Sequence, residues 1–337
     1  MPKRKAAASA PAEVEPNAVP LPAQTTPEDP STLRYLILVF SSFALSVAAR
    51  TFSSYFVEGD LASVTRTIDD WPQISGFLGG RAVELALGWW GRYDGVDMAA
   101  LTLLSHMPYY HLLRIFYGVR PTTILNNLSI DMLSVYIPLY FLRQSSVTHD
   151  AKAPKSAVSN RSVINDLRVQ CYTSILAAGI YGVVLYLSLA SWLPLYLVTH
   201  FDGVRSLQGA HEAAYPFVVL GVIPLGFAAK AFIFTPAMGV KPDSHDAKNA
   251  AFNPQTATFW ETVKYNVWGH SKRTRTLIQR TTTLIAFTGL YNWLQTYFVV
   301  EGAEFFGAAG WSGVWASAAS LTGIVFWWVG DVEGVSN

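Results

Sequence analysis

Apolar runs of about 20 residues, separated by short polar breaks, recur from Arg34 to Gly330. Runs of that length match a hydrocarbon core of roughly 30 Å. They are continuous rather than alternating, which argues against a β-barrel. The pattern predicts spans over residues 34–57, 73–90, 96–117, 122–142, 171–199, 213–238, 282–300 and 305–330. The expected fold is all-α, a polytopic transmembrane helical bundle of about eight spans. Residues 73–90 form the weakest of these, because Arg81 and Glu84 lie three apart within it. Such charges are tolerated in lipid only when they pair and face inward. Read as an interfacial or re-entrant helix, this segment leaves seven spans.

The last two spans form a hairpin around the turn Val299-Val300-Glu301-Gly302-Ala303-Glu304. Ala309, Gly313 and Ser317 recur every four positions and so share a stripe, which predicts close approach of a neighbouring helix there. Asn292 and Gln295 share a face and need partners inside the bundle, as interhelical hydrogen bonds or as the wall of a pocket.

Outside the spans, residues 1–32 are rich in Ala and Pro and read as a disordered tail, and 332–337 as a short tail. Met1 is followed by no apolar run of the kind a cleaved signal peptide carries. Residues 33–331 then make up one transmembrane domain. Basic residues crowd the loops near 143–168 and 239–281, which places both on the cytoplasmic side together with the two termini. The expected location is a multi-pass membrane protein of the endoplasmic reticulum.

Composition narrows the function classes. Only 14% of the 337 residues are charged and 51% are hydrophobic, in keeping with the membrane reading, and a net charge of +1 offers no nucleic-acid footprint. The single Cys171 excludes an intramolecular disulfide framework and a cysteine-built metal site. His106 and His111 are five apart, the wrong spacing for two ligands on one helix face, so no metal and no cofactor is expected. Aspartate-rich repeats, a phosphate-binding glycine loop and a G-x-S-x-G elbow are all missing from the chain.

Asp131 is the sharpest candidate for chemistry. A carboxyl near the bilayer centre is costly when ionised and tends to keep its proton, which suits a general acid. Its alternative is a structural hydrogen bond to another helix. Glu84, beside Arg81, is a second acid and leans towards a structural role. Glu301 and Glu304, one turn apart at the hairpin mouth, form a third candidate, with a solvated cap as the alternative. His106, Tyr109, Tyr136, Asn292, Trp293 and Gln295 are the candidate substrate-binding residues, since aromatic faces stabilise cations. Packing alone also accounts for aromatics in such a chain.

The segment Tyr291-Asn292-Trp293-Leu294-Gln295-Thr296-Tyr297, followed by Glu301-Gly302-Ala303-Glu304 and Gly307-Ala308-Ala309-Gly310-Trp311, resembles fungal integral-membrane terpene cyclases of meroterpenoid and indole-diterpene pathways. The resemblance covers residues 33–331 by length and span number, and it assigns no catalytic residue. It implies an isomerase-type enzyme of secondary-metabolite biosynthesis that protonates the epoxide of a prenyl chain and needs no metal. The implied partners are the lipid bilayer and a lipophilic prenylated small molecule. Two other classes remain open: a transporter of a small or lipophilic molecule, and a structural membrane protein.

Overall fold

The computed structural model describes residues 31–55, 59–66, 71–150, 152–211 and 215–330. The tails expected at 1–32 and 332–337 fall outside the described residues, except for Ser31 and Thr32. Helix α1 covers Thr32–Ser53, α2 Trp71–Trp90, α3 Gly95–Phe116 and α4 Pro121–Leu142. After a loop come α5, Leu167–Ala190, and the short α6, Leu193–His200. Helix α7 covers Tyr215–Ala229 and runs on through one π turn, Lys230–Phe234, into Thr235–Gly239. Two small helices follow, α8 (Ser244–Ala250) and α9 (Phe259–Trp268), before α10 (Lys272–Val299) and α11 (Phe305–Gly330) close the chain. The only extended pairing among the described residues is a pair of isolated bridges, Thr65 with Val300 and Phe201 with Ala303.

Local chemistry sets the boundaries. The Asp94 carboxylate accepts from Asp97 N at 2.8 Å and caps α3, and Asp166 caps α5 through Arg168 N at 2.8 Å. These acceptors satisfy amides that have no partner in a first turn. Helix α9 begins with a capping box of Thr258 and Glu261. The run expected as one span over 171–199 is two helices, because the chain leaves α5 after Ala190 and restarts with Pro194 in the first turn of α6. Proline is pre-organised for that position and cannot donate inside a helix.

Among the described residues the fold is all-helical, and four helices there are long and apolar enough to cross a membrane: α1, α5, residues Val218–Gly239 of α7, and α11. Helices α2, α3, α4 and α10 coincide with other expected spans but are less apolar, so length and composition do not support the count of eight. Their polar residues explain the shortfall: Arg81 and Glu84 in α2, Asp97 in α3, Asp131 in α4, and Lys272, Arg273, Arg275 and Arg280 in α10.

Helix α3 forms the centre of the bundle, packed by α4, α7 and α10. Helix α10 pairs along its length with α11, α5 pairs with α7, and α1 packs on α4. The face that α11 turns inward carries Gly307, Trp311, Trp315, Ala319 and Phe326. Ala309, Gly313 and Ser317 are exposed, so the small-residue stripe lies away from the packed face. Close approach occurs elsewhere on α11. A Cβ on Gly307 would collide with His200 and Phe201, and one on Gly310 with the Tyr196 ring.

At one end of the bundle the hairpin turn pins two other connections. Arg66 donates to Val300 O at 3.1 Å and Ala303 O at 2.9 Å. Asp202 N donates to Gly302 O at 2.9 Å. Gly302 has φ +76°, and a Cβ there would collide with the Asp202 backbone.

Candidate functional site

Four helices bring charges together inside the bundle. Glu84 (α2), fully buried, accepts from Arg81 Nη1 at 2.7 Å and from Thr102 Oγ1 of α3 at 2.9 Å. Arg81 is three residues earlier on the same helix and bends over it to donate to Asp131 O at 3.0 Å and Ser134 Oγ at 2.9 Å on α4. Asp131 accepts from Tyr110 OH at 2.7 Å, lies 3.1 Å from His106 Nδ1, and forms an ion pair with Arg50 of α1. The other arm of Arg50 donates to Asn127 Oδ1 at 2.7 Å. His106 stacks on Tyr291 of α10 with ring centroids 4.5 Å apart. Its Nε2 lies 3.9 Å from Glu84, beyond hydrogen-bond reach.

Two guanidinium groups therefore face two carboxylates, and the network balances when His106 is neutral. A buried ion is tolerated when its charge is paired and its remaining lone pairs are satisfied. Each of the two acids has an arginine and at least one further hydrogen bond. The arrangement fastens α1, α2, α3 and α4 to one another.

A second node lies at the N-terminus of α3, outside the long helices' apolar stretches. Asp94 accepts from Ser146 N at 2.8 Å and lies 2.8 Å from His149 Nδ1. Burial raises the Asp94 carboxyl, but the His149 contact and the amides of Asp97 and Ser146 outweigh it and hold it below the usual carboxylate range. Burial lowers His149, and the Asp94 bond with the charge of Asp97 outweighs that and leaves it raised. Arg280 of α10 forks onto both oxygens of Asp97, at 2.5 and 2.9 Å, and donates to Phe232 O in the π turn of α7 at 2.8 Å. Asp94, Asp97 and His149 each offer an atom within 4.8 Å of the others. The donor types suit a cation, yet Arg280 and the Asp94–His149 contact already engage them.

The structure brings Asp131, Glu84 and His106 together, with Tyr109 buried beside Tyr110 at 5.2 Å between ring centroids. It does not bring the other candidates to them. Tyr136 stacks on Tyr140 at 5.9 Å. Asn292 donates to Ser312 Oγ of α11 at 3.1 Å, and Trp293 donates to Phe305 O at 3.3 Å, so both tie the hairpin together. Gln295 is half-buried on the same helix. Glu301 is exposed at the turn, and Glu304 pairs with His200 Nδ1 at 3.0 Å. Sequence reasoning missed Arg50, although a lone charge in the apolar run of α1 was a signal that a partner existed. It also missed Asp97 and Arg280, which are 183 positions apart.

Residues 166–329 match the family model described as the bouquet formation protein 3 C-terminal domain. The match starts at the cap of α5 and runs almost to the end of α11. No curated protein and no solved structure matches the chain.

This match overturns the terpene-cyclase resemblance. The residues that carried it, within 291–311, fall inside a segment that matches a different family. Packing accounts for them: Asn292 and Trp293 hold the hairpin, and Gly307 and Gly310 admit α6 at close range. The expectations of an isomerase, of secondary-metabolite biosynthesis and of a meroterpenoid product fall with it. The helices are compatible with contact to a bilayer, while a lipophilic prenylated substrate has no support.

Proposed function

We propose that this chain is a structural membrane protein acting in bouquet formation. The observation that carries the reading is the match of residues 166–329 to the bouquet formation protein 3 C-terminal domain. The site geometry supports the same view. Asp131 and Glu84 are each engaged by an arginine and by hydroxyl donors, an arrangement that joins helices.

In this reading residues 33–331 form one membrane domain in which all eight long helices cross the bilayer. Inside the bundle Arg81 pairs with Glu84, Arg50 with Asp131 and Arg280 with Asp97, which shelters these charges. The loops near 143–168 and 239–281 share the cytoplasmic face with both termini. The protein resides in the endoplasmic-reticulum membrane system, including the nuclear envelope that is continuous with it. A fluorescent fusion expressed at native level in meiotic cells tests this. Signal at the nuclear rim that coincides with gathered chromosome ends is expected. Signal confined to the plasma membrane or to vacuoles would sink the proposal.

A further inference from the structure

The polar connection between α7 and α10 contains a helix that the bundle does not use. Helix α9 buries none of its residues. Phe259, Trp260 and Val267 are 73%, 75% and 49% exposed, and helical spacing puts them within one arc together with Val263. The opposite side is held by the chain itself. Tyr265 stacks on Phe252 with ring centroids 4.0 Å apart, and Asn249 Nδ2 donates to Gly269 O at 2.8 Å. The helix is thus fixed with its apolar arc turned outward.

Its height is also fixed. Only Gly269, His270 and Ser271 separate α9 from the start of α10 at Lys272. A Cβ on Gly330, the last residue of α11, would collide with the guanidinium of Arg273. The first turn of α10 is therefore level with the end of an apolar helix of membrane length. That end carries the exposed Trp327 and Trp328, as expected where a helix meets the headgroups. Over residues 258–275 Lys264, Lys272 and Arg273 stand against the single acid Glu261, while Arg275 is engaged by Asp243 at 2.9 Å.

The geometry points to α9 as an in-plane anchor: its Phe259–Trp260–Val267 arc inserts into the headgroup layer of an anionic lipid surface, on the membrane that the bundle itself spans. An amphipathic helix with aromatics on one face and lysine at its border binds lipid in this manner. The inference rests on the membrane-bundle reading, and the test separates the two.

Full-length protein carrying Cys171→Ala is reconstituted in nanodiscs of phosphatidylcholine with phosphatidylserine. A single fluorophore is attached at Trp260→Cys, at Gln255→Cys in the preceding loop, or at Ile324→Cys on the exposed side of α11. Val267→Cys, on the same arc, replaces the first variant if that one fails to fold. Quenching by lipid-borne doxyl groups should be several-fold stronger at position 260 than at 255, with the reverse for aqueous iodide. Removing phosphatidylserine should weaken the doxyl effect at 260 and leave 324 unchanged. Equal iodide quenching at 260 and 255, with 324 still quenched by doxyl, would overturn the anchor alone. Shielding of 260 from both quenchers would also overturn it, in favour of docking on a protein surface. Iodide access at 324 would instead remove the membrane reading beneath it.

Discussion

Arg280 and Asp97 form a two-pronged ion pair, at 2.5 and 2.9 Å, between α10 and the first turn of α3. The pair joins the half of the chain that matches a known domain to the half that does not. Arg280 also lies 5.0 Å from the Tyr93 ring and 5.2 Å from that of Phe232, so it is held by aromatic faces as well as by charge.

Removing one partner of this pair leaves the other charge buried and unmatched. Asp97 is fully buried and the Arg280 side chain is 12% exposed. Arg280→Ala should therefore cost about 3–5 kcal/mol, and Arg280→Lys should recover only part, since lysine lacks the fork. Thermal melting in detergent checks this. Melting points of both variants within error of the unmodified protein would refute it.

The Arg81–Glu84 pair should behave as a unit. Glu84→Gln leaves Arg81 without its carboxylate at a site where the acid side chain is fully buried. The single change should destabilise by about 3–5 kcal/mol, whereas Arg81→Met combined with Glu84→Leu should cost less than the two single changes added together. A double-mutant cycle on melting reads the coupling, and strict additivity would show that the pair does not act together.

Stability should fall as the medium becomes alkaline, through His149. Its folded-state value lies above the ordinary 6.5, so its contribution is fully present below about pH 6.5 and is lost as pH rises through the raised value. Asp94 has the opposite sign: its contribution is present above about pH 3.8 and is lost only on strong acidification. Melting curves between pH 6 and pH 9 should slope downward. His149→Gln should flatten that slope, and an unchanged slope in the variant would assign the titration elsewhere.

Gly302 occupies a left-handed conformation against the backbone of Asp202. Gly302→Ala adds strain and a collision, and should cost about 1–3 kcal/mol while loosening the contact between the 200–205 loop and the turn. Hydrogen exchange of the Asp202 amide reports it, with faster exchange expected and no change refuting the pin.

The sequence made some of this legible. Arg81 and Glu84 announced their pairing because they sit three apart within an apolar run. Asp131 announced a need for partners because an isolated carboxyl in lipid is costly. Neither signal named those partners. Arg50 lies 81 positions from Asp131, and helix order alone does not say which helices touch. The stripe of Ala309, Gly313 and Ser317 shows the limit of periodicity, which groups residues on a face without saying what that face meets. The 291–311 segment shows another, since glycines and aromatics that serve packing also imitate a binding motif.

The proposed structural role in bouquet formation is put to the test by loss of the protein. Chromosome ends would be imaged in staged meiotic cells of the host after deletion of the gene, with re-expression of the full chain as the control. The ends should fail to gather without the protein and gather again when it is restored. Normal gathering in the deletion strain would contradict it.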